Sequence, residues 1–157
     1  MNLTKISFEI TTFHGLGKSW IGRILAPIFA FPLLILFRML FELNSHVFYW
    51  IVLALAALTF FMVTLVLRMP DFNRSSIVLD ETVGIMVSFI AIPFKFKLML
   101  FGYILFFVIN FLRYPLFKNF LGSKLDNLPG AFGIFAGDLF TGFITNIFLQ
   151  LLLWVVY

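Results

Sequence analysis

The stretch VFYWIVLALAALTFFMVTLVL, which runs from Val47 to Leu67, gives the clearest indication of the fold class of this chain. Its 21 residues include no charged side chain. A helix needs about 20 predominantly apolar residues to cross the hydrocarbon core of a bilayer. The stretch therefore predicts a membrane-spanning helix, because open strands would leave backbone groups unsatisfied in lipid.

The composition of the whole chain agrees with this prediction. Of 157 residues, 62% are hydrophobic and 11% are charged, whereas soluble proteins carry about 25% charged residues. There is no cysteine, which excludes disulfides, zinc–thiolate sites and iron–sulfur clusters. The net charge of +4 suits anionic lipid headgroups. No long basic stretch supports binding to nucleic acid.

Other apolar stretches extend the pattern. Ile24–Phe41, Leu98–Leu112 and Leu139–Tyr157 are predicted to span the membrane as well. Val83–Phe94 is too short to cross, because its helix would reach only about 18 Å. We expect it to form a half-span that pairs with Leu98–Leu112 in a hairpin. The prediction is an all-α, polytopic membrane helix bundle, a single domain over residues 1–157, with about four spans plus a short half-span.

The distribution of positive residues predicts a cytoplasmic N-terminus. In that orientation Arg38, Lys95 and Lys97 lie outside. The positive residues that lie inside are Lys5, Lys18, Arg23, Arg68, Arg74, Arg113, Lys118 and Lys124. The same orientation places five polar residues near the cytoplasmic boundary, namely Asp80, Glu81, Asn110, Arg113 and Asp138.

These polar residues have both structural and functional interpretations. Asp80 and Glu81 either begin a helix, where acids favour the positive end of the dipole, or bind Mg²⁺ together with a substrate phosphate. Asn110 and Arg113 are three apart and share a helix face. They suit either a helix end with a snorkelling arginine or a phosphate clamp. Asp138 is expected to open the last span.

Small residues surround that acid. Gly133, Gly137, Thr141 and Thr145 are spaced by four and predict a ridge for close helix packing. The tripeptide Gly17-Lys18-Ser19 lacks the earlier glycine of a nucleotide-binding P-loop. Lys18 remains a candidate contact for a lipid headgroup.

Three motifs resemble those of the phosphatidylglycerophosphatase A family. Ile77 to Met86 is similar to its Asp-Glu-x-x-Gly signature, and Phe106 to Phe117 to its Phe-Arg-x-x-Asp-x-x-Lys-Pro-x-Pro motif. Gly130 to Gly142 is similar to its Gly-Gly-x-Gly-x-x-x-Asp-Asp-x-x-Ala-Gly motif. The order and spacing of the motifs agree with the family, and the resemblance covers roughly residues 13 to 150.

The resemblance implies a Mg²⁺-dependent enzyme of phospholipid biosynthesis in the bacterial inner (cytoplasmic) membrane. Such an enzyme removes the terminal phosphate of phosphatidylglycerophosphate, its phospholipid substrate in the bilayer, to give phosphatidylglycerol. The family's acids correspond to Asp80, Glu81 and Asp138, which would be the catalytic residues and the metal ligands. Arg113, Lys18 and Asn110 would bind the substrate. A homo-oligomer is compatible with the sequence.

Some positions depart from the family motifs. Phe107 replaces an arginine, Asn110 an aspartate, Tyr114 a proline and Gly137 the first aspartate of a pair. Arg113 replaces a lysine and keeps the positive charge. The lost acids leave a second function open, that of an inactive relative serving as a membrane scaffold or lipid-binding subunit. A channel or transporter is disfavoured, because the charged groups cluster at one face and do not line a full crossing.

Overall fold

The computed structural model describes residues 3–15, 28, 31–32, 34–37, 39, 45–69, 72–73, 76–117 and 128–156. Helices joined by turns and short irregular segments make up these ranges, with no strand among them. The helices are α1 (Leu3–Thr11), α2 (Ser45–Val66), α3 (Leu79–Ser88), α4 (Phe96–Phe117) and α5 (Ala131–Val156). The all-α prediction is confirmed for this part of the chain.

Three helices, α2, α4 and α5, are long and apolar enough to cross a membrane. Their outward faces carry large exposed apolar side chains, including Trp50, Phe111 and Trp154. Lipid can solvate such faces, whereas a soluble protein rarely exposes them together. The described residues thus contain three candidate spans, fewer than the four predicted. The predicted span Ile24–Phe41 lies largely outside the described residues.

The spanning helices are longer than predicted. Helix α4 extends beyond both ends of Leu98–Leu112, and α5 begins before Leu139. The prediction stopped at polar residues, but the structure places Arg113 and Asp138 inside these helices as buried side chains. The expectation that Asp138 opens the last span was therefore wrong. A charged group is tolerated within a helix when it faces a partner inside the protein.

A short helix is present where the half-span was predicted, with different bounds. Helix α3 has 10 residues and begins before Val83, with Asp80 and Glu81 in its first turn. That position matches the structural interpretation of the two acids, since carboxylates are stabilised at a helix N-terminus. After Ser88 the chain turns through Ala91, whose φ is 58°. Helix α3 contacts α4, as the expected hairpin requires, but it packs far more extensively against α5.

Two glycines bring α3 and α5 together. A Cβ atom at Gly84 would lie 2.7 Å from the main-chain oxygen of Asp138, and one at Gly142 would lie 3.1 Å from the carbonyl carbon of Gly84. Neither position has room for a side chain. In the predicted ridge, Thr141 and Thr145 donate their hydroxyl protons to carbonyls of their own helix, at 3.0 and 2.8 Å.

The C-terminal end of α3 is stabilised by a side chain from α5. The amide nitrogen of Asn146 donates to the carbonyl oxygens of Ser88 at 3.0 Å and Ile90 at 2.7 Å. Gln150 donates in turn to Oδ1 of Asn146 at 2.7 Å. The last carbonyls of a helix lack partners within the helix, and apolar surroundings make that costly. These bonds explain how a short helix ends among apolar neighbours.

The helices enclose an apolar core that holds the polar groups in place. Its fully buried side chains include Phe48, Phe89, Phe106, Met99 and Leu149, which come from α2, the turn after α3, α4 and α5. Helix α1 packs on α2 and also touches α3. The backbone N–H of Val78, just before α3, donates to the carbonyl of Thr11 at 3.0 Å. This contact fixes the start of α3, where the acids lie.

Candidate functional site

Asp80 and Asp138 lie on the facing sides of α3 and α5. Asp80 is one helical turn before Gly84, the residue that contacts the backbone of Asp138. Both acids are buried, with exposures of 7% and 6%. The α3–α5 contact therefore brings together two carboxylates that are 58 positions apart in the sequence.

The electrostatics of Asp80 reflect this crowding. Asp80 lies on α3, outside the three spanning helices. Burial raises its pKa well above the ordinary value, and the negative charges of Asp138 and Glu81 raise the pKa further. The backbone N–H of Glu81 donates to Oδ1 of Asp80 at 3.0 Å and acts in the opposite direction. The raised pKa means that the site favours the protonated form of Asp80, and a nearby positive charge would favour the ionised form.

Arg113, on helix α4, supplies positive charge to this site. Its Nη1 atom donates to Oδ1 of Asp138 over 3.2 Å. The two side chains are 8% and 9% exposed, so the ion pair is shielded from water. Charge-assisted hydrogen bonds are stronger than neutral ones, and shielding from solvent limits screening by salt. Helices α3, α4 and α5 therefore meet at one cluster of Asp80, Asp138 and Arg113.

Gly137 makes room for the arginine. A Cβ atom at this position would lie 2.6 Å from Cζ of Arg113 and would also overlap its Nη1 atom. The guanidinium thus lies directly against the backbone of α5 at the residue before Asp138. Any larger residue at position 137 would have to move Arg113 or the helix.

Asn110 lies one turn before Arg113 on α4. Its Oδ1 atom is buried and accepts no hydrogen bond from any described residue. A buried acceptor without a donor is costly, and such an atom points to a bound group or water. The helix face predicted for Asn110 and Arg113 therefore carries a buried hydrogen-bond acceptor and a buried cation, one turn apart.

The structure assembles part of the predicted site. It brings together Asp80, Arg113 and Asp138, with Glu81 adjacent to Asp80 on the backbone. Lys18 lies outside the described residues. The sequence did not indicate that Arg113 bonds Asp138 directly, nor that Gly137 contacts the guanidinium. The sequence did contain one sign of these contacts. One motif carries a long cationic side chain, Arg113, and another carries a glycine, Gly137, directly before the acid.

The predicted Mg²⁺ ligands do not form a metal site as they lie. Within the described ranges, no group of three or more His, Cys, Asp or Glu side chains has an arrangement that could hold a metal ion. The carboxylate of Asp138 instead bonds the guanidinium of Arg113. The donor set as it lies does not fit the cation, because the guanidinium of Arg113 already bonds one of the three carboxylates.

The chain was compared with known protein families, curated proteins and solved structures. The family model described as phosphatidylglycerophosphatase A matches residues 9–153. That range includes the acids, the arginine and the glycines described above. No curated protein and no solved structure matches the chain.

Proposed function

Because the chain belongs to the phosphatidylglycerophosphatase A family, we propose that it is a lipid phosphatase. Its substrate would be phosphatidylglycerophosphate and its lipid product phosphatidylglycerol. The family supports a phosphoric monoester hydrolase of phospholipid biosynthesis, and the three apolar helices support a membrane protein. The observation that carries the assignment to a site is the buried Arg113–Asp138 pair beside Asp80.

Arg113 would bind the phosphate of the lipid. A guanidinium has five N–H donors in a planar fork, so it can bond a carboxylate and a phosphate oxygen at the same time. Neutralising phosphate charge is the main task of a phosphoryl-transfer site. The buried Oδ1 atom of Asn110 supports a polar contact one turn away, where it would accept a hydrogen bond from the headgroup or a bound water.

The carboxylates would orient the attacking water and accept its proton. In hydrolysis, a water oxygen bonds to phosphorus, the bond from phosphorus to the glycerol oxygen breaks, and that oxygen takes up a proton. Asp80, Glu81 and Asp138 are the carboxylates available to orient the water and accept its proton. The bond between Asp138 and Arg113, beside Asp80 and Glu81, supports this division of roles.

A Mg²⁺ requirement remains a prediction of the family resemblance. Mg²⁺ would supply Lewis-acid stabilisation of phosphoryl charge. The described side chains do not form a ligand group for it. We therefore assign no step to the metal, and a chelator experiment tests the requirement.

The membrane face and compartment are also part of the proposal. The positive residues in the loops favour a cytoplasmic N-terminus and place the acids near the cytoplasmic boundary. The family resemblance favours a bacterial inner membrane. The acyl chains of the substrate would remain in the bilayer while the headgroup enters between α3, α4 and α5.

A second candidate is an inactive relative that binds phosphorylated lipid without hydrolysing it. One observation favours it, because the guanidinium of Arg113 occupies the space at Gly137, where the family motif has an acid. The two candidates differ in turnover and share lipid binding.

The test is phosphate release from phosphatidylglycerophosphate by the purified protein in detergent, first with Mg²⁺ and then with a chelator. We expect release that is lost in Asp80→Asn and kept in Glu9→Gln, a control at a half-exposed acid of α1 that pairs with His14. Binding without release by folded protein would support the inactive relative. Release that is unchanged in Asp80→Asn would overturn the site assignment.

A further inference from the structure

The buried acids need a positive charge within reach. Burying two carboxylates is costly unless a cation compensates them. Most lysine and arginine side chains in the described part of the chain are exposed. These are Lys5, Arg68, Lys95 and Lys97. Arg113, in contrast, is 7% exposed and bonds Asp138, so its guanidinium is the described cation at the depth of the acids.

The backbone of α5 is shaped around this cation. Gly137 precedes Asp138, and a single added carbon would lie 2.6 Å from Cζ of Arg113. The guanidinium thus contacts two consecutive residues of α5, the backbone of one and the carboxylate of the other. Such a fit requires both the length of arginine and the absence of a side chain at position 137.

We propose that the guanidinium of Arg113 is the resident cation of Asp138 in the lipid-free protein, and that this carboxylate, which lies beside Asp80, binds no divalent cation in that state. Two observations carry this proposal. One is the buried 3.2 Å bond between Arg113 and Asp138. The other is that the described acids form no group with the arrangement of a metal site. The proposal concerns the lipid-free protein and does not depend on turnover.

The proposal has a consequence that a merely structural ion pair lacks. If the guanidinium occupies the position of a cation, its removal takes away the positive charge that bonds Asp138, beside Asp80 and Glu81. These carboxylates then attract a divalent ion, because Mg²⁺ and Mn²⁺ favour carboxylate oxygens. The variant Arg113→Met should therefore gain a response to divalent cations that the wild-type protein lacks.

The experiment uses the full chain in detergent, stripped of divalent ions with a chelator and then desalted. Thermal unfolding is recorded in MgCl₂ and in NaCl of equal ionic strength. Binding of Mn²⁺ is measured by electron paramagnetic resonance. The wild type is compared with Arg113→Met, with Arg113→Lys, with Asp138→Asn, and with Arg113→Met combined with Asp138→Asn. Arg68→Met serves as the control, because Arg68 is an exposed arginine.

We expect no specific Mg²⁺ stabilisation and no bound Mn²⁺ in the wild type, Arg113→Lys or Arg68→Met. Arg113→Met should bind Mn²⁺, and saturating Mg²⁺ should raise its unfolding temperature by on the order of 5 °C. Adding Asp138→Asn should remove that gain. Mn²⁺ that binds to the wild type and is lost in Asp138→Asn would overturn the proposal. This comparison of Mn²⁺ binding between the wild type and Asp138→Asn tests the proposal even if Arg113→Met does not fold. Phosphate release is measured separately and tests the proposed function alone.

Discussion

The Cα atom of Gly84 on α3 lies so close to the main-chain carbonyl of Asp138 on α5 that an added Cβ would be 2.7 Å from its oxygen. This contact sets the separation of the two helices that carry Asp80 and Asp138. The position of the acids relative to each other therefore depends on a residue that has no side chain.

Gly84→Ala should push α3 away from α5. Overpacking of a tight contact costs about 1–3 kcal/mol, and Asp80 would move with the helix. We expect a lower unfolding temperature in detergent and a loss of phosphate release that exceeds the loss of folded protein. Ala54→Val, which adds bulk on an exposed position of α2, is the control. An unchanged unfolding temperature in Gly84→Ala would show that the helices are not in this contact.

Arg113→Met should be strongly destabilising. Removing one partner of a buried ion pair leaves the other charge uncompensated and costs about 3–5 kcal/mol. Arg113→Lys should cost less and keep part of the activity, because it retains the charge and loses the fork geometry. Thermal unfolding and phosphate release of both variants check this prediction. Equal stability of Arg113→Met and the exposed control Arg68→Met would contradict it.

Asp80→Asn should reduce phosphate release by at least about 100-fold, since a positioned acid or base contributes on this scale. Its stability should fall little, because the amide keeps the shape of the carboxyl and removes a negative charge from a crowded site. The measurement is turnover together with the unfolding temperature. Wild-type turnover in this variant would exclude Asp80 from the chemistry.

Asn146→Leu should loosen the end of α3. The change removes the donors to the carbonyls of Ser88 and Ile90, and a buried acceptor without a donor costs about 1–3 kcal/mol. Hydrogen exchange at the end of α3 should accelerate. Gln150→Leu, at an exposed residue that bonds Asn146, should have a smaller effect. Identical exchange in both variants would contradict the role of Asn146.

The sequence predicted the class of the fold because hydropathy is a property of a whole segment. Val47–Leu67 has no charge to interrupt it, and α2 nearly matches it. Prediction of the helix ends failed at Asp138, because hydropathy values each residue alone. The cost of an acid in an apolar helix falls when Arg113 bonds it, and that partner is 25 positions away.

The candidate site was predictable in its members but not in its contacts. The order of the motifs and the cytoplasmic boundary indicated that Asp80, Arg113 and Asp138 would lie at one depth, and they do come together. The contact of Gly137 with the guanidinium depends on the separation of α4 and α5, which no local pattern encodes. The nine-residue helix α1 was not predicted. Its buried side chains include the polar Ser7 and Thr11, which a hydropathy pattern does not mark as buried.

The contact between Arg113 and position 137 constrains how this chain can change over generations. An acid at position 137 overlaps the guanidinium unless Arg113 has first become shorter, and a shorter residue at 113 leaves a void beside Gly137. Either single change passes through a less stable protein. The two positions should therefore covary among relatives, with arginine accompanying glycine and a shorter cation accompanying a larger residue.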